Sequence, residues 1–276
     1  MSERTAADGR PSSRIATGWL IIALGASVVP ILYLVSVSFM SQGEVAAGRL
    51  VPTRPTAGAW VEAFSGPVPA AIANSLVVSI VSAAISLVLA LPAAWAIVRF
   101  RTGGRLLAGT FLAPWLLPPI VAIVPLFMLL RVLGLNNTLT GLTLLYAIMN
   151  VGLAVWLLEG FVRRLPVELE EAARLDGVGE LGVLVRIVAP LTGPALVAVG
   201  VILVILSYNE YLFAAFVTQS EQSRTVPVVI GLLLSERIQD FGKVAAASLL
   251  GAFPPLAVAA FLQKRLVDGL TSGAVK

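Results

Sequence analysis

Six long apolar runs, each about long enough to cross a lipid bilayer, limit what this chain can fold into. A spanning helix needs about 20 mainly apolar residues, and such runs fall at 15–40, 70–98, 106–130, 138–161, 195–216 and 244–262. Apolar residues make up 58% of the chain and charged residues only 12%. An ordinary globular domain is about 25% charged, so a water-soluble fold has nowhere to put this much apolar surface. The expected fold class is all-α: a polytopic membrane protein with six transmembrane helices.

Orientation follows from Lys and Arg, because acidic residues count little in the positive-inside rule. With the amino end inside, 13 of the 19 basic residues, among them Arg14, Arg99, Arg101, Arg163, Arg164, Arg186 and Lys264, fall on the cytoplasmic side and 6 on the other. Both termini are therefore expected in the cytoplasm, in the plasma membrane. The polar start, with Arg4, Arg10 and Arg14, resembles a signal-peptide n-region. The run that follows it is longer than a signal h-region of about 7 to 15 residues, so an uncleaved first span is expected.

The sequence pI of 9.8 does not point to nucleic acid, because the basic residues sit in short clusters between apolar runs, as in cytoplasmic loops. There is no Cys and no His. That excludes thiol nucleophiles, disulfides, Cys/His zinc sites and a Ser-His-Asp triad. Prolines are frequent within the spans. The cluster Pro114, Pro118, Pro119 and Pro125 marks the third run as a candidate for a wall that moves.

The stretch 163–190 leaves the lipid. Nine charges lie between Arg163 and Arg186, yet the segment has the signals of a helix. Pro166 suits a first turn, Glu168, Glu170 and Glu171 favour the positive end of the helix dipole, and Gly177 suits a left-handed cap. These predict a helix over 166–176, about eleven residues and roughly 16 Å long. Leu165, Leu169, Ala172, Ala173 and Leu175 form a small apolar surface on which paired alanines admit close approach, and Glu171 can accept charge-assisted hydrogen bonds from a partner's Arg. An amphipathic helix on lipid headgroups would carry Lys and Arg on its polar face. This one is acidic, which favours docking to protein.

The run Glu171-Ala172-Ala173, Gly177 four residues on, and Ile187-Val188-Ala189-Pro190 after nine more closely resembles the EAA signature of inner-membrane permeases of binding-protein-dependent ABC importers. The string LEEAARLDGVGELGVLVRIVAPLTGPAL looks most like the carbohydrate-uptake, maltose-permease-like branch. One departure is Ala189, where the pattern usually has Leu. The runs ANSLVVS at 73–79, YNEYLFA at 208–214 and GLTSGAVK at 269–276 resemble further family elements, so the likeness extends from about residue 70 to the carboxyl end.

The resemblance implies a division into a cytoplasmic tail (1–14), a first helix (15–40), an external segment (41–69), a permease core (70–262) and a second tail (263–276). It implies that 163–190 is a coupling loop whose helix docks in a cleft of a separate ATPase. Glu171, Ala172, Ala173, Leu175, Asp176 and Gly177 would be the contact, and closure of the ATPase dimer would rotate the spans between inward-open and outward-open states. It further implies a sister permease, with a heterodimer the usual arrangement, and an extracytoplasmic solute-binding protein facing 41–69 and 219–243. The substrate would be a sugar or sugar-like solute. ATP and Mg would sit on the ATPase, with no cofactor in this chain. No Gly-x-x-x-x-Gly-Lys-Ser/Thr cradle is present, and the Gly-Lys at 242–243 lacks its spacing.

Within the spans, Glu210 interrupts an apolar run, and a carboxylate at the bilayer centre costs roughly 2.5 to 3.5 kcal/mol on insertion scales. Tyr208, Asn209, Glu210 and Tyr211 together offer the hydroxyl, amide, carboxylate and ring needed to hold a polyhydroxylated solute. Either they meet substrate, or Glu210 pairs with another helix or the sister chain. Asn150 is a second pathway candidate or interhelical glue. Asn74 is the last pathway candidate, expected to cap or crosslink the outer end of the second span more than to be a primary ligand. A self-sufficient ion-coupled transporter is the alternative function, but it would need internal repeats and its own ion relay, and none is evident.

Overall fold

The computed structural model describes residues 13–101, 118–235 and 240–271, and every regular element among them is helical. In chain order these are α1 (Ser13–Val37), α2 (Gln42–Ala46), α3 (Gly58–Ser65), α4 (Val68–Phe100), α5 (Pro119–Val132), α6 (Leu139–Val162), α7 (Val167–Leu175), α8 (Glu180–Leu191), α9 (Gly193–Tyr208), α10 (Leu212–Val217), α11 (Val226–Leu234) and α12 (Phe241–Thr271). Helix α8 contains a π-helical turn at Leu184–Val188.

Among the described residues, four helices are long and apolar enough to cross a membrane: α1, α4, α6 and α12. Helices α8 and α9, bent by 76° at their junction, make a fifth if taken as one broken span. About half of the third apolar run, 106–117, lies outside the described residues, and with it Pro114. Its described part is the 14-residue α5. The fifth run, expected to be one helix over 195–216, is two: α9 ends at Tyr208 and α10 begins at Leu212.

Local chemistry sets several of the ends. Prolines open α5, and Pro67 with a Pro in the first turn opens α4, because an amino-terminal turn needs no intrahelical N–H donor. The Thr138 hydroxyl caps α6 by accepting from the Gly141 amide at 3.0 Å. Helix α4 ends where Arg101 turns left-handed.

Helix α4 is the axis of the packing. Its 33 residues run unbroken through Pro92, a length of about 50 Å. On one side lies an apolar cluster that includes Ala90, Ala94, Leu158, Val162, Ala173, Val183 and Leu203, joining α4 to α6, α7, α8 and α9. Towards its other end Val78 meets Ile123, Leu142, Tyr146, Phe213 and Val228 of α5, α6, α10 and α11. Lipid tails are as apolar as these side chains, so close van der Waals packing and polar crosslinks hold such a bundle together. Ser75, Ser79, Ser82 and Ser86 form a buried hydroxyl seam along α4. Ser86 donates to its own helix at the Ser82 carbonyl and to Ala147 of α6, at 2.8 and 2.9 Å.

Helix α1 stands apart, with almost none of its span buried against the chain. It meets the body at its end, where Val37 and Met40 pack with Ala245 of α12.

Candidate functional site

The segment between the fourth and fifth apolar runs is the helix that its sequence predicts. Pro166 stands at the amino cap of α7 and Asp176 at the carboxyl cap. Gly177 adopts φ +81°, which L side chains rarely take. The Gly177 amide donates to the Arg174 carbonyl and the Val178 amide to the Ala173 carbonyl, both at 3.0 Å. This is a Schellman closure, and Val178 packs back on the same cluster as Ala173.

The faces of α7 are sharply divided. Glu171, Ala172, Leu175, Asp176 and Gly177 are exposed, and Leu175 keeps 89% of its surface. Ala173 points the other way, into the chain's own core. Glu170 is buried too, at 1% exposure. Its carboxylate accepts from the Trp95 indole at 2.9 Å and from Arg99 Nε at 2.7 Å. Trp95 and Arg99 are one turn apart on α4, so they face the same way. Arg99 also donates to the Leu165 carbonyl, just before α7, at 2.8 Å. At the far end Arg174 holds Glu180 of α8 through two hydrogen bonds of 2.8 and 3.0 Å. Helix α7 is thus pinned before its start, at its middle and at its exit.

Sequence reading placed Glu170 among carboxylates that merely favour the dipole and missed Trp95 and Arg99. The available signal was an indole and a guanidinium four residues apart on the last turns of an otherwise apolar helix. Both need a polar partner there.

The second cluster is the break in the fifth run. The Glu210 carboxylate accepts from the amides of Phe213 at 3.0 Å and Ala214 at 3.2 Å, and from the Tyr146 hydroxyl of α6 at 2.5 Å. It caps the first turn of α10, which is why the helix restarts there instead of continuing. Among the described residues Glu210 makes no ion pair, so its charge is met by amides and a phenol.

The other pathway candidates separate. Tyr208 is buried, its hydroxyl donating to the Gly251 carbonyl of α12 at 2.8 Å. Asn150 is buried and donates to Ser207 Oγ at 2.8 Å. Asn74 donates to the carbonyls of Gln222 and Arg224, at 3.0 and 2.9 Å, tying the amino-terminal part of α4 to the loop before α11. Asn209 is exposed, and its side chain donates to the Ile205 carbonyl of its own helix. Tyr211 is half exposed, with its ring so close to Gly231 that a Cβ there would lie 2.8 Å from the ring edge.

Comparison with known proteins settles the class. The family described as "Binding-protein-dependent transport system inner membrane component" matches residues 86–271, more than half of the chain. The trehalose transport system permease protein SugB of Mycobacterium tuberculosis is 32% identical over 96% of this chain and 99% of the relative. The trehalose/maltose transport system permease protein MalG of Thermococcus litoralis is 32% identical over 90% and 91%. A crystal structure of a bacterial ABC transporter involved in the import of the acidic polysaccharide alginate shares the fold with a TM-score of 0.76, at 23% identity, over 95% of this chain and 99% of its own. This chain belongs to the family of inner membrane components of binding-protein-dependent transport systems. It is a multi-pass ABC importer permease, a transport component and not an enzyme, and that membership decides against the ion-coupled alternative.

Proposed function

We propose that this permease forms half of the pathway by which a sugar or sugar-like solute enters a prokaryotic cell, and that α7 is the coupling helix docked on a separate ATPase. The observation that carries the reading is the outward face of α7. Glu171, Ala172, Leu175, Asp176 and Gly177 lie exposed together on a short acidic helix whose opposite face is locked to the bundle. An exposed Leu and Ala beside carboxylates suit a protein cleft lined with apolar and basic side chains. Ala173 supports that face from behind.

The substrate class rests on the relatives, whose names give trehalose, maltose, sulfoquinovosyl glycerol and diacetylchitobiose as transported solutes. The bias of basic residues along the sequence supports a cytoplasmic position for both termini and for α7. The working assembly is then this chain, a sister permease forming a heterodimer with it, an ATPase dimer carrying ATP and Mg, and an extracytoplasmic solute-binding protein. Of the pathway candidates, Asn209 and Tyr211 are the ones exposed enough to line a pathway. Tyr208, Asn150, Asn74 and Glu210 are occupied as crosslinks and a cap.

Reconstitution tests the reading. Uptake into proteoliposomes is expected to need the ATPase subunit and ATP, and to stop in Glu171→Lys, which reverses the charge on the docking face. Uptake that runs on an ion gradient without ATP would defeat it.

A further inference from the structure

Two turns flank α7, at 163–166 and 176–179, the second containing Gly177 and Gly179. A helix carried on such turns alone would swivel when pulled and pass on little of the motion. Instead its mid-point is fastened to α4, a helix to which it is not joined in sequence. The Glu170 carboxylate is almost fully buried; Arg99 Nε and the Trp95 indole of α4 each donate to one of its oxygens, and Arg174 of its own helix lies 3.6 Å from the second. Arg99 in turn grips the Leu165 carbonyl.

Charge-assisted hydrogen bonds in a poorly solvated site are strong and directional. A single buried carboxylate so held fixes the position of α7 along α4 and its rotation about its own axis.

The other end of α4 is fastened as specifically. Asn74 holds the carbonyls of Gln222 and Arg224, and Ser75 Oγ accepts from the Val226 amide at 2.9 Å. From Asn74 to Trp95 is about 31 Å of unbroken helix. Between the two ends, Ser86 crosslinks α6.

We propose that Glu170 is a positioning residue that locks the lever to α4, making α4 the rod through which a pull on α7 reaches the outer loop at residues 222–226. This rests on the reading of α7 as the ATPase-docking helix. Glu170 touches neither nucleotide nor solute in this scheme; it converts a swivel into a thrust. Coupling through a rod runs in both directions, so docking of the loaded binding protein outside is felt at the ATPase by the same route.

The test uses the complete importer in proteoliposomes: this chain, its sister permease, the ATPase dimer and the binding protein. Glu170→Gln keeps the volume and removes the charge, while Trp95→Phe keeps the ring and removes one donor. Both are expected to retain the ATPase on co-purification and to keep basal hydrolysis. Stimulation of hydrolysis by loaded binding protein, and solute carried per ATP, are expected to fall about tenfold in Glu170→Gln and less in Trp95→Phe. Normal stimulation and stoichiometry in both variants would overturn the lock. So would loss of the ATPase on co-purification, which would make Glu170 a docking residue. If the Glu170→Gln permease fails to fold and insert at all, Trp95→Phe decides by the same readouts. Wild-type vesicles that show no ATP-dependent uptake would instead defeat the functional reading, so the two failures are told apart.

Discussion

Glu170 and Glu210 are two carboxylates drawn away from solvent near opposite ends of the bundle, and each accepts a hydrogen bond from an aromatic side chain of a neighbouring long helix. The resemblance stops there. Glu170 has two guanidinium groups beside it, Arg99 and Arg174, and through Arg99 joins segments 71 residues apart in sequence. Glu210 has no cation among the described residues and spends most of its hydrogen-bonding capacity on the two amides that follow it. One carboxylate is a bolt between elements; the other is a cap that lets the chain break and start again. Burial alone therefore says little about what a membrane carboxylate does, and the nature of its donors says a great deal.

The largest effect should come from cutting the bolt. Glu170→Ala leaves Arg99, whose side chain is only 13% exposed, without its charged partner, and breaking a buried pair in this way costs about 3–5 kcal/mol. Thermal unfolding of the detergent-solubilised complex is expected to show this as a markedly lower midpoint. A change near zero would mean that the pair is far more hydrated than its burial implies.

The cap should be more forgiving. Tyr146→Phe removes one of three donors to Glu210 while both amides remain, and the expected loss is about 1–3 kcal/mol. If Tyr146→Phe proves as damaging as Glu170→Ala, Glu210 is a tie between helices as well, and the contrast fails.

A third carboxylate sharpens the comparison at its mild end. Glu44 is half-buried near the surface and accepts from the Thr53 hydroxyl and amide and from the Ser41 amide, bonds that hold its carboxyl well below the usual range, at about 2. Because the folded value is depressed from 4.5, the contribution of these bonds is complete above about pH 4.5 and fades as pH falls through about 2. An NMR titration of the Glu44 side-chain carboxyl should show that low midpoint. Thr53→Ala, which removes the hydroxyl donor, should move it upward.

Much of this was legible in the sequence, and the reason lies in which forces are local. Pro166, the acidic first turn and Gly177 act within a few residues of themselves, so the bounds of α7 could be read from them. The apolar runs are likewise a property of composition, and α4, α6 and α12 emerge close to where those runs lie. What sequence does not reveal is which of two adjacent glutamates turns inward. Glu170 and Glu171 have the same chemistry and the same helix dipole, and the choice is made by Arg99 and Trp95. The break at Asn209–Tyr211 was hidden for a similar reason. A lone carboxylate in an apolar run could equally have faced a cavity, a partner or its own backbone, and only the positions of Phe213, Ala214 and Tyr146 distinguish these. The π-turn in α8 has no comparable signal, since Leu-Val-Arg-Ile-Val suits an ordinary helix equally well.

The serine seam of α4 bears on how such a bundle can shift without coming apart. Ser79, Ser82 and Ser86 each donate to a carbonyl of α4 itself, three or four residues back, while Ser82 and Ser86 also touch Ser207 and Ala147 on neighbouring helices. When a neighbour slides past, each hydroxyl retains a home within its own helix, so no donor is stranded in the dry interior. The seam thus gives the joint the makings of a bearing: each hydroxyl has a resting place that does not depend on its neighbour.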